Sequence, residues 1–378
     1  RDDTDMTTTR ENEPLSAHTT LRVGGPAARF VDAATTDELV DAVREAQAGY
    51  DDWMVLGGGS NVVIGDEGVD GTVIRIATHG VERLPDAPGS SRPIRLRVQA
   101  GEDWDELVAL TVENGWAGLE AMSGIPGSTG AAPIQNIGAY GQEVAESLIA
   151  VEVLDDDGER RTIPAPELKL GYRTSVLKHG GTRAVVLSID LALEQNADAR
   201  SRPVQYAQLA EALGVAIGER APLVGVRAAV LALRAGKGMV LDDADPNSVS
   251  AGSFFTNPIV SESFARSLPA DAPRWPLAPE PPSLAMPLGA EPALPAETGP
   301  AQVKLSAAWL IERSGIGRGF ALPGSRAAVS KKHTLALINT GGATAAEVSQ
   351  LARYIQTRVM SEFGVVLHPE PVFVNLDL

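Results

Sequence analysis

The chain has 378 residues, no cysteine and a formal charge of −17. It is long enough for two or three domains around a sizeable core, and its charge argues against nucleic acid and anionic membranes as partners. The lack of cysteine excludes disulfides, thiolate metal sites and thiol nucleophiles.

The polar, acidic start, RDDTDMTTTRENEP, is expected to form a disordered tail over 1–15 and does not read as a secretory signal. No apolar run approaches the ~18 residues that span a bilayer, so a cytoplasmic location is expected. Asp37 and Glu38 in a first turn, with Leu39, Val43 and Ala46 on one face, predict a helix over 36–47. Trp53 to Leu56 reads as a short apolar strand, and Ile94 to Ala100 alternates strictly as a half-buried one. A helix follows over 103–113, with Trp104, Leu107, Val108 and Thr111 along a stripe and Asn114-Gly115 as its stop. Val151 to Leu154 followed by Asp155-Asp156-Asp157-Gly158 predicts a hairpin, and Val185 to Leu193 alternates again.

Beyond about Arg200 the texture changes. Tyr206, Leu209, Ala210 and Leu213 share a helical face, and a second helix is expected over 222–235 with its proline near N1. Residues 268–300 hold ten prolines and read as a long surface loop. Helices are expected over 303–314 and 345–363, with short strands at 365–367 and 372–374 around Glu370. The mixture is α+β, with a boundary near 195–203.

Two glycine-rich runs suggest function. Met122 to Gly141 reads MSGIPGSTGAAPIQNIGAYG. Its glycines and two prolines bar a regular helix, while Ile125, Ile134, Ile137 and Tyr140 need burial. A buried irregular segment must pair its backbone polar groups, and a bound cofactor is one partner; a structural Ω-loop is the other reading. The second run, Gly57-Gly58-Gly59-Ser60-Asn61, follows a strand and suits convergent N–H groups around an anion, although a tight turn fits it too. Neither run is a P-loop or a dinucleotide fingerprint. Two such loops suggest one extended nucleotide. In a chain this acidic, any anionic ligand must be gripped by local positive groups.

The chain resembles the UDP-N-acetylenolpyruvoylglucosamine reductases, flavoenzymes that make UDP-N-acetylmuramate for peptidoglycan. The resemblance runs from about Leu15 to the C-terminus. It rests on TLRVGGPA (Thr20–Ala27), LGGGSNVV (Leu56–Val63), SGIPGSTGAAPIQNIGAYG (Ser123–Gly141), GYRTS (Gly171–Ser175), AGSFFTNP (Ala251–Pro258) and HPEPVF (His368–Phe373). It implies a two-subdomain FAD-binding half of the vanillyl-alcohol-oxidase type over 16–195 and a C-terminal α+β substrate domain over 196–365. A segment over 366–378 would return to the active site. FAD would be non-covalent, with NADPH as co-substrate. Gly57, Gly58, Gly59, Ser60 and Asn61 would hold the pyrophosphate. Ser123, Gly124, Ile125, Pro126, Gly127, Gly130, Asn136, Gly138, Ala139 and Tyr140 would cover the rest of the cofactor.

In the reaction the resemblance implies, hydride passes from NADPH through FAD to the methylene carbon of an enolpyruvyl ether. Negative charge then builds on the substrate carboxylate and adjacent carbon, so the site needs a cation, a polar stabiliser and a proton donor. Arg173 would stabilise the enolate-like species, Ser253 would deliver the proton, and Glu370 would hydrogen-bond or act as an acid. Tyr172, Tyr206, Lys237 and Asn257 would bind the nucleotide sugar. Thr256 stands where many relatives carry lysine and removes a positive charge near the diphosphate. Lys332, His333 and Asn339 suit a structural role, no metal site is expected, and the protein is expected to be a monomer.

Out of context these side chains have ordinary readings. An Arg beside a Tyr is commonly a surface ion-pair partner, a Ser before Phe-Phe a turn hydroxyl, and Tyr206 a core residue. Two other functions fit parts of the chain: an FAD-dependent oxidase with another substrate, or a non-catalytic nucleotide-sugar module. The oxidase leaves GSFF and the terminal Glu370 motif unexplained.

Overall fold

Four strands make the first sheet in the computed structural model, which describes residues 8–49, 51–178, 183–277 and 301–378. Thr8–Pro14 pairs antiparallel with Pro26–Ala33. The latter runs parallel to Val69–Ile76, which is parallel to Asp52–Leu56. The expected disorder of the tail is thus corrected for residues 8–14. That strand, TTRENEP, has no buried face and so no alternating signal. It is held by its ladder and by Arg10, whose guanidinium meets Asp32 at 2.8 Å and Glu13 at 3.2 Å.

The helix Thr36–Ala48 starts on a capping box between Thr35 and Glu38 and buries Leu39, Val40 and Val43 against Val31 and Ile74. A second, antiparallel sheet runs in the order Arg160–Pro164, Leu148–Asp155, Ala184–Gln195, Ile94–Gln99, Val81–Leu84. The inward side chains of Ile94–Gln99 pack against the helix Trp104–Glu113, whose first turn is capped by Asp103. The glycine-rich run lies against this sheet in short turns, with Thr129–Ala131 touching both Ala100 and the long strand.

The helices Ala207–Leu213 and Leu223–Gly236 bury Leu209, Val226 and Val230 against Ala121 and Val204. Arg227 also meets Asp105 of the earlier helix at 2.6 Å. Pro222 is the N-cap of its helix, one position before the expected N1. Tyr206 departs from the expected helical face: it caps the shorter helix and is 45% exposed, because the chain turns into the helix only after it.

A third sheet, Ser250–Ser253, Ala336–Asn339 and Ala327–Val329, packs with the helices Ala307–Arg313 and Ala345–Phe363 around Phe254, Phe255, Leu310 and Ile355. The helix expected over 303–314 is corrected. Gln302–Leu305 is a strand between Ile259–Ser261 and Arg274–Pro276, and Ser306 then caps a shorter helix by accepting from the Trp309 N–H. That strand pairing and the burial of Leu268 and Ala272 also correct the front of the expected surface loop; its part over 278–300 lies outside the described residues. No strand forms at 365–367. The carbonyl of Leu367 accepts from the Gln356 side chain, and that of His368 from the Thr256 N–H, in place of a regular ladder.

The last strand, Val372–Val374, pairs in parallel with Val62–Ile64, directly after the Gly57–Asn61 loop. The C-terminal segment is thereby fastened to the Gly57–Asn61 loop. Among the described residues no helix is long and apolar enough to cross a membrane.

Candidate active site

The two glycine runs face each other across a tight contact. A Cβ on Gly58 would lie 2.6 Å from the Gly127 Cα, and one on Gly57 2.4 Å from the Ser128 Oγ. Gly59 has φ +61°, with the His18 carbonyl 2.0 Å from its missing Cβ. Only glycine permits this approach. Among the described residues the N–H groups of Gly58, Gly59 and Ser60 find no protein acceptor, as a loop that receives an anion requires.

Beside this contact lies a cavity of about 410 Å³. Its walls include Gly57 to Asn61, Ile125, Pro126, Gly127 and Gly138 from the two runs. Arg173, Ser253 and Glu370 reach it from three further segments. The other expected cofactor contacts, Ser123, Gly124, Gly130, Asn136, Ala139 and Tyr140, do not line it. Ser123 and Asn136 are buried and spend their side chains on protein: Ser123 Oγ donates to the Glu120 carbonyl, and Asn136 Nδ2 donates to Glu143 and to the Gly171 carbonyl. Gly130 packs against Ala100. These residues shape the loop from behind.

Arg173 occupies a turn with φ 54°, stabilised by reciprocal backbone bonds between Gly171 and Thr174. Its guanidinium donates to the carbonyls of Asn136 at 3.2 Å and Gly138 at 2.8 Å, and Nε lies 3.3 Å from Glu370 Oε1. The fork is therefore bound to the glycine run on one side and a carboxylate on the other. Burial pushes the Glu370 carboxyl above its ordinary range, while Arg173 and Lys178 pull it down. Its backbone is fixed as well, with Glu370 N–H donating to the Phe254 carbonyl at 2.9 Å. Ser253 ends a strand one residue before that carbonyl, and its hydroxyl has no hydrogen-bond partner among the described residues.

The residues expected to bind a nucleotide sugar divide. The ammonium of Lys237 lies 5.5 Å from the Tyr140 ring centroid and donates to Gln208, and Tyr206 meets Tyr140 edge-on at 5.5 Å. Burial lowers the Lys237 ammonium, and nearby Arg234 adds to the effect. Asn257 instead supports protein: its side-chain oxygen accepts from the Ala307 N–H at 3.0 Å. Thr256 ties GSFF to the C-terminal segment through the His368 carbonyl. Asn339 is buried and donates to the carbonyls of Leu21 and Arg22, which fits the structural role expected for it.

Two cavity cations carry no signal of their own in the sequence. Lys178 lies half-buried near Glu370, and Arg234 is almost fully buried in the last turn of its helix. Burial lowers the Arg234 guanidinium to about 10, with Tyr140 and Asp105 opposing the shift, and its Nε has no partner. The rest of the group is held by protein, Nη2 donating to the Met239 carbonyl at 2.7 Å, so the one free Nε, beside loops with free N–H groups, fits a ligand that carries phosphate.

Residues 27–163 match an FAD binding domain, and residues 245–374 match the C-terminal domain of UDP-N-acetylenolpyruvoylglucosamine reductase. The chain is 59% identical to the UDP-N-acetylenolpyruvoylglucosamine reductase of Leifsonia xyli over 376 residues, covering 96% of this chain and 98% of that one. It is 52% identical to the Saccharopolyspora erythraea protein of the same name, covering 96% and 95%. A crystal structure of the reductase from Thermus caldophilus superposes with a TM-score of 0.61 at 26% identity, covering 98% of this chain and 99% of that one. The chain is an α+β flavoenzyme and belongs to the UDP-N-acetylenolpyruvoylglucosamine reductase family.

Proposed function

We propose that the cavity reduces the enolpyruvyl ether of a UDP-N-acetylglucosamine at the expense of NADPH, with Arg173, Ser253 and Glu370 as the catalytic residues. The observation that carries this reading is their convergence: three segments far apart in the chain deliver a guanidinium, a free hydroxyl and a buried carboxyl to one cavity walled by both glycine loops. FAD, when bound, supplies the hydride relay between NADPH and the substrate.

Gly58, Gly59 and Ser60 would hold the cofactor's pyrophosphate through backbone N–H groups, and Ile125 and Pro126 would give its rings apolar contact. The Arg173 fork suits a substrate carboxylate, whose charge grows as hydride reaches the methylene carbon. Ser253 would give its proton to the neighbouring carbon, leaving a hydroxyl oxygen that must be reprotonated from solvent or a neighbour. Glu370 orients Arg173 and stands ready to exchange a proton. Lys237 and Tyr206, grouped around Tyr140, would take the diphosphate and close over the nucleotide. Tyr172, whose ring centroid lies 5.5 Å from the Arg173 guanidinium, would add a contact to the nucleotide sugar, and Asn257 would act from behind through its bond to the Ala307 N–H.

The reading includes a monomer in the cytoplasm with no nucleic-acid or membrane partner. Its charge of −17 supports the exclusion of polyanions. Substrate-dependent NADPH oxidation by yellow, flavin-loaded protein tests the function. A flavin reduced by NADPH but inert towards the enolpyruvyl ether would point to the oxidase reading.

A further inference from the structure

The strongest unused feature of the cavity is Lys178. The sequence GYRTSVLK folds back on itself because Ser175 Oγ accepts from the N–H of Leu177 at 3.2 Å and of Lys178 at 3.3 Å, while donating to the Ile134 carbonyl at 2.5 Å. That turn carries the Lys178 ammonium under Arg173. Nζ donates to the Arg173 carbonyl at 3.2 Å and, weakly, to Gln135 Oε1 at 3.5 Å.

These bonds close a ring. Gln135 Oε1 also accepts from Asn61 Nδ2 at 2.8 Å, and the same Asn61 amide donates to the Glu370 carbonyl at 3.3 Å. Glu370 returns to Arg173 through its carboxylate at 3.3 Å. Five residues from both glycine runs, the arginine turn and the C-terminal segment are thus mutually fixed, with Lys178 the member that grips the arginine backbone. The grip matters because Arg173 is a non-glycine residue at φ 54°, a conformation that persists only when its surroundings enforce it. Lys178 has no carboxylate salt-bridge partner among the described residues, so its charge stays available to the cavity.

We propose that Lys178 is a positioning residue for the reaction, clamping the left-handed Arg173 turn by its carbonyl and presenting a second cation to Glu370. This rests on the proposed roles of Arg173 and Glu370. The charged and titratable groups that face Glu370 are Arg173, Lys178 and the phenol of Tyr172, so removing Lys178 leaves one cation where there were two. Burial lowers the Lys178 ammonium and Glu370 pulls it back up, the reciprocal sign of one coupling.

The test uses the flavin-loaded enzyme and two variants, Lys178→Met and Lys178→Arg. The carboxyl carbon of Glu370, identified by the signal that disappears in Glu370→Gln, is titrated by carbon-13 NMR. Rapid mixing then follows reoxidation of NADPH-reduced enzyme by the enolpyruvyl substrate. Lys178→Met moves the Glu370 titration to higher pH and slows reoxidation by roughly 10²-fold, the scale of a misplaced reacting group, with flavin content kept. Lys178→Arg restores the titration and most of the rate. Should the methionine variant not fold, Lys178→Gln keeps hydrogen-bonding reach without charge and serves in its place. An unmoved Glu370 titration in the neutral variant, or an equal shift in the arginine variant, overturns the proposal. Wild-type enzyme that the substrate fails to reoxidise refutes the assigned reaction instead, and the NMR titration still decides what Lys178 does.

Discussion

The Arg173 guanidinium meets the Glu370 carboxylate at 3.3 Å, joining a turn after the Met122–Gly141 run to a residue eight positions before the C-terminal Leu378. The contact exists because Val372–Val374 pairs with Val62–Ile64 and because Glu370 N–H bonds the Phe254 carbonyl. The Gly57–Asn61 loop, the Ser253–Phe254 turn and the carboxylate are therefore held in one register.

Arg173→Lys keeps a positive charge but cannot donate to the Asn136 and Gly138 carbonyls and face Glu370 together. Flavin content should hold, since those carbonyls can bind water. Reoxidation of reduced enzyme by substrate should slow by roughly 10²–10³-fold, as for loss of one oxyanion-stabilising donor. Turnover at the wild-type rate would remove Arg173 from the catalytic set.

Glu370→Gln separates stability from activity. An acid whose folded pKa lies above its unfolded value binds its proton more tightly when folded. Its contribution is fully present below the unfolded pKa and is lost as pH rises through the folded one. The glutamine variant should therefore melt above wild type at neutral pH, with the gap closing on acidification towards pH 4. Its reoxidation rate should fall at least ~10²-fold. A gap that widens in acid would reverse the assigned sign.

His333 gives the opposite slope. Burial, with Lys237 and Arg318 nearby, lowers it to about 4, so it is neutral in the native protein near pH 7. A histidine with a depressed folded pKa destabilises the fold as pH drops from its unfolded value near 6.5 to about 4, by up to roughly 3 kcal/mol. His333→Gln should flatten that part of the stability curve, as read from urea midpoints over pH 4–7.

Two glycine substitutions should differ in sign. Gly58→Ala places a methyl 2.6 Å from Gly127 Cα and 2.9 Å from the Ser128 N, all backbone, and should yield protein without flavin. Gly225 lies inside the helix Leu223–Gly236 with open space where its Cβ would go. Gly225→Ala should stabilise by about 0.5–1 kcal/mol with flavin retained.

The elements with a periodic apolar face were legible in the sequence: the two capped helices of the flavin half, the alternating strands, and the long helix Ala345–Phe363. Thr8–Pro14 was not, because a strand exposed on both faces leaves no pattern. Gln302–Leu305 resembles helix in sequence because its two buried residues, Val303 and Leu305, run straight into a genuine helix behind a serine cap. Within the site, the glycine runs announced themselves through composition, and Arg173, Ser253 and Glu370 through motif resemblance. Lys178 and Arg234 had no such signal. Their significance lies in tertiary burial beside the cavity, which no local pattern encodes.

Rapid-mixing measurement of the two half-reactions in Ser253→Ala tests the central claim most directly. The substitution removes one oxygen that bonds to no described residue, so the turn before Phe254 should stay folded and FAD should stay bound. Flavin reduction by NADPH should remain near the wild-type rate, since it needs no proton for the substrate carbon. Reoxidation by the enolpyruvyl substrate should fall by roughly 10²–10⁴-fold, and Ser253→Cys should recover part of it, because a thiol still donates a proton. Equal slowing of both half-reactions in the alanine variant would contradict the account, making Ser253 a structural residue and leaving the proton to come from elsewhere.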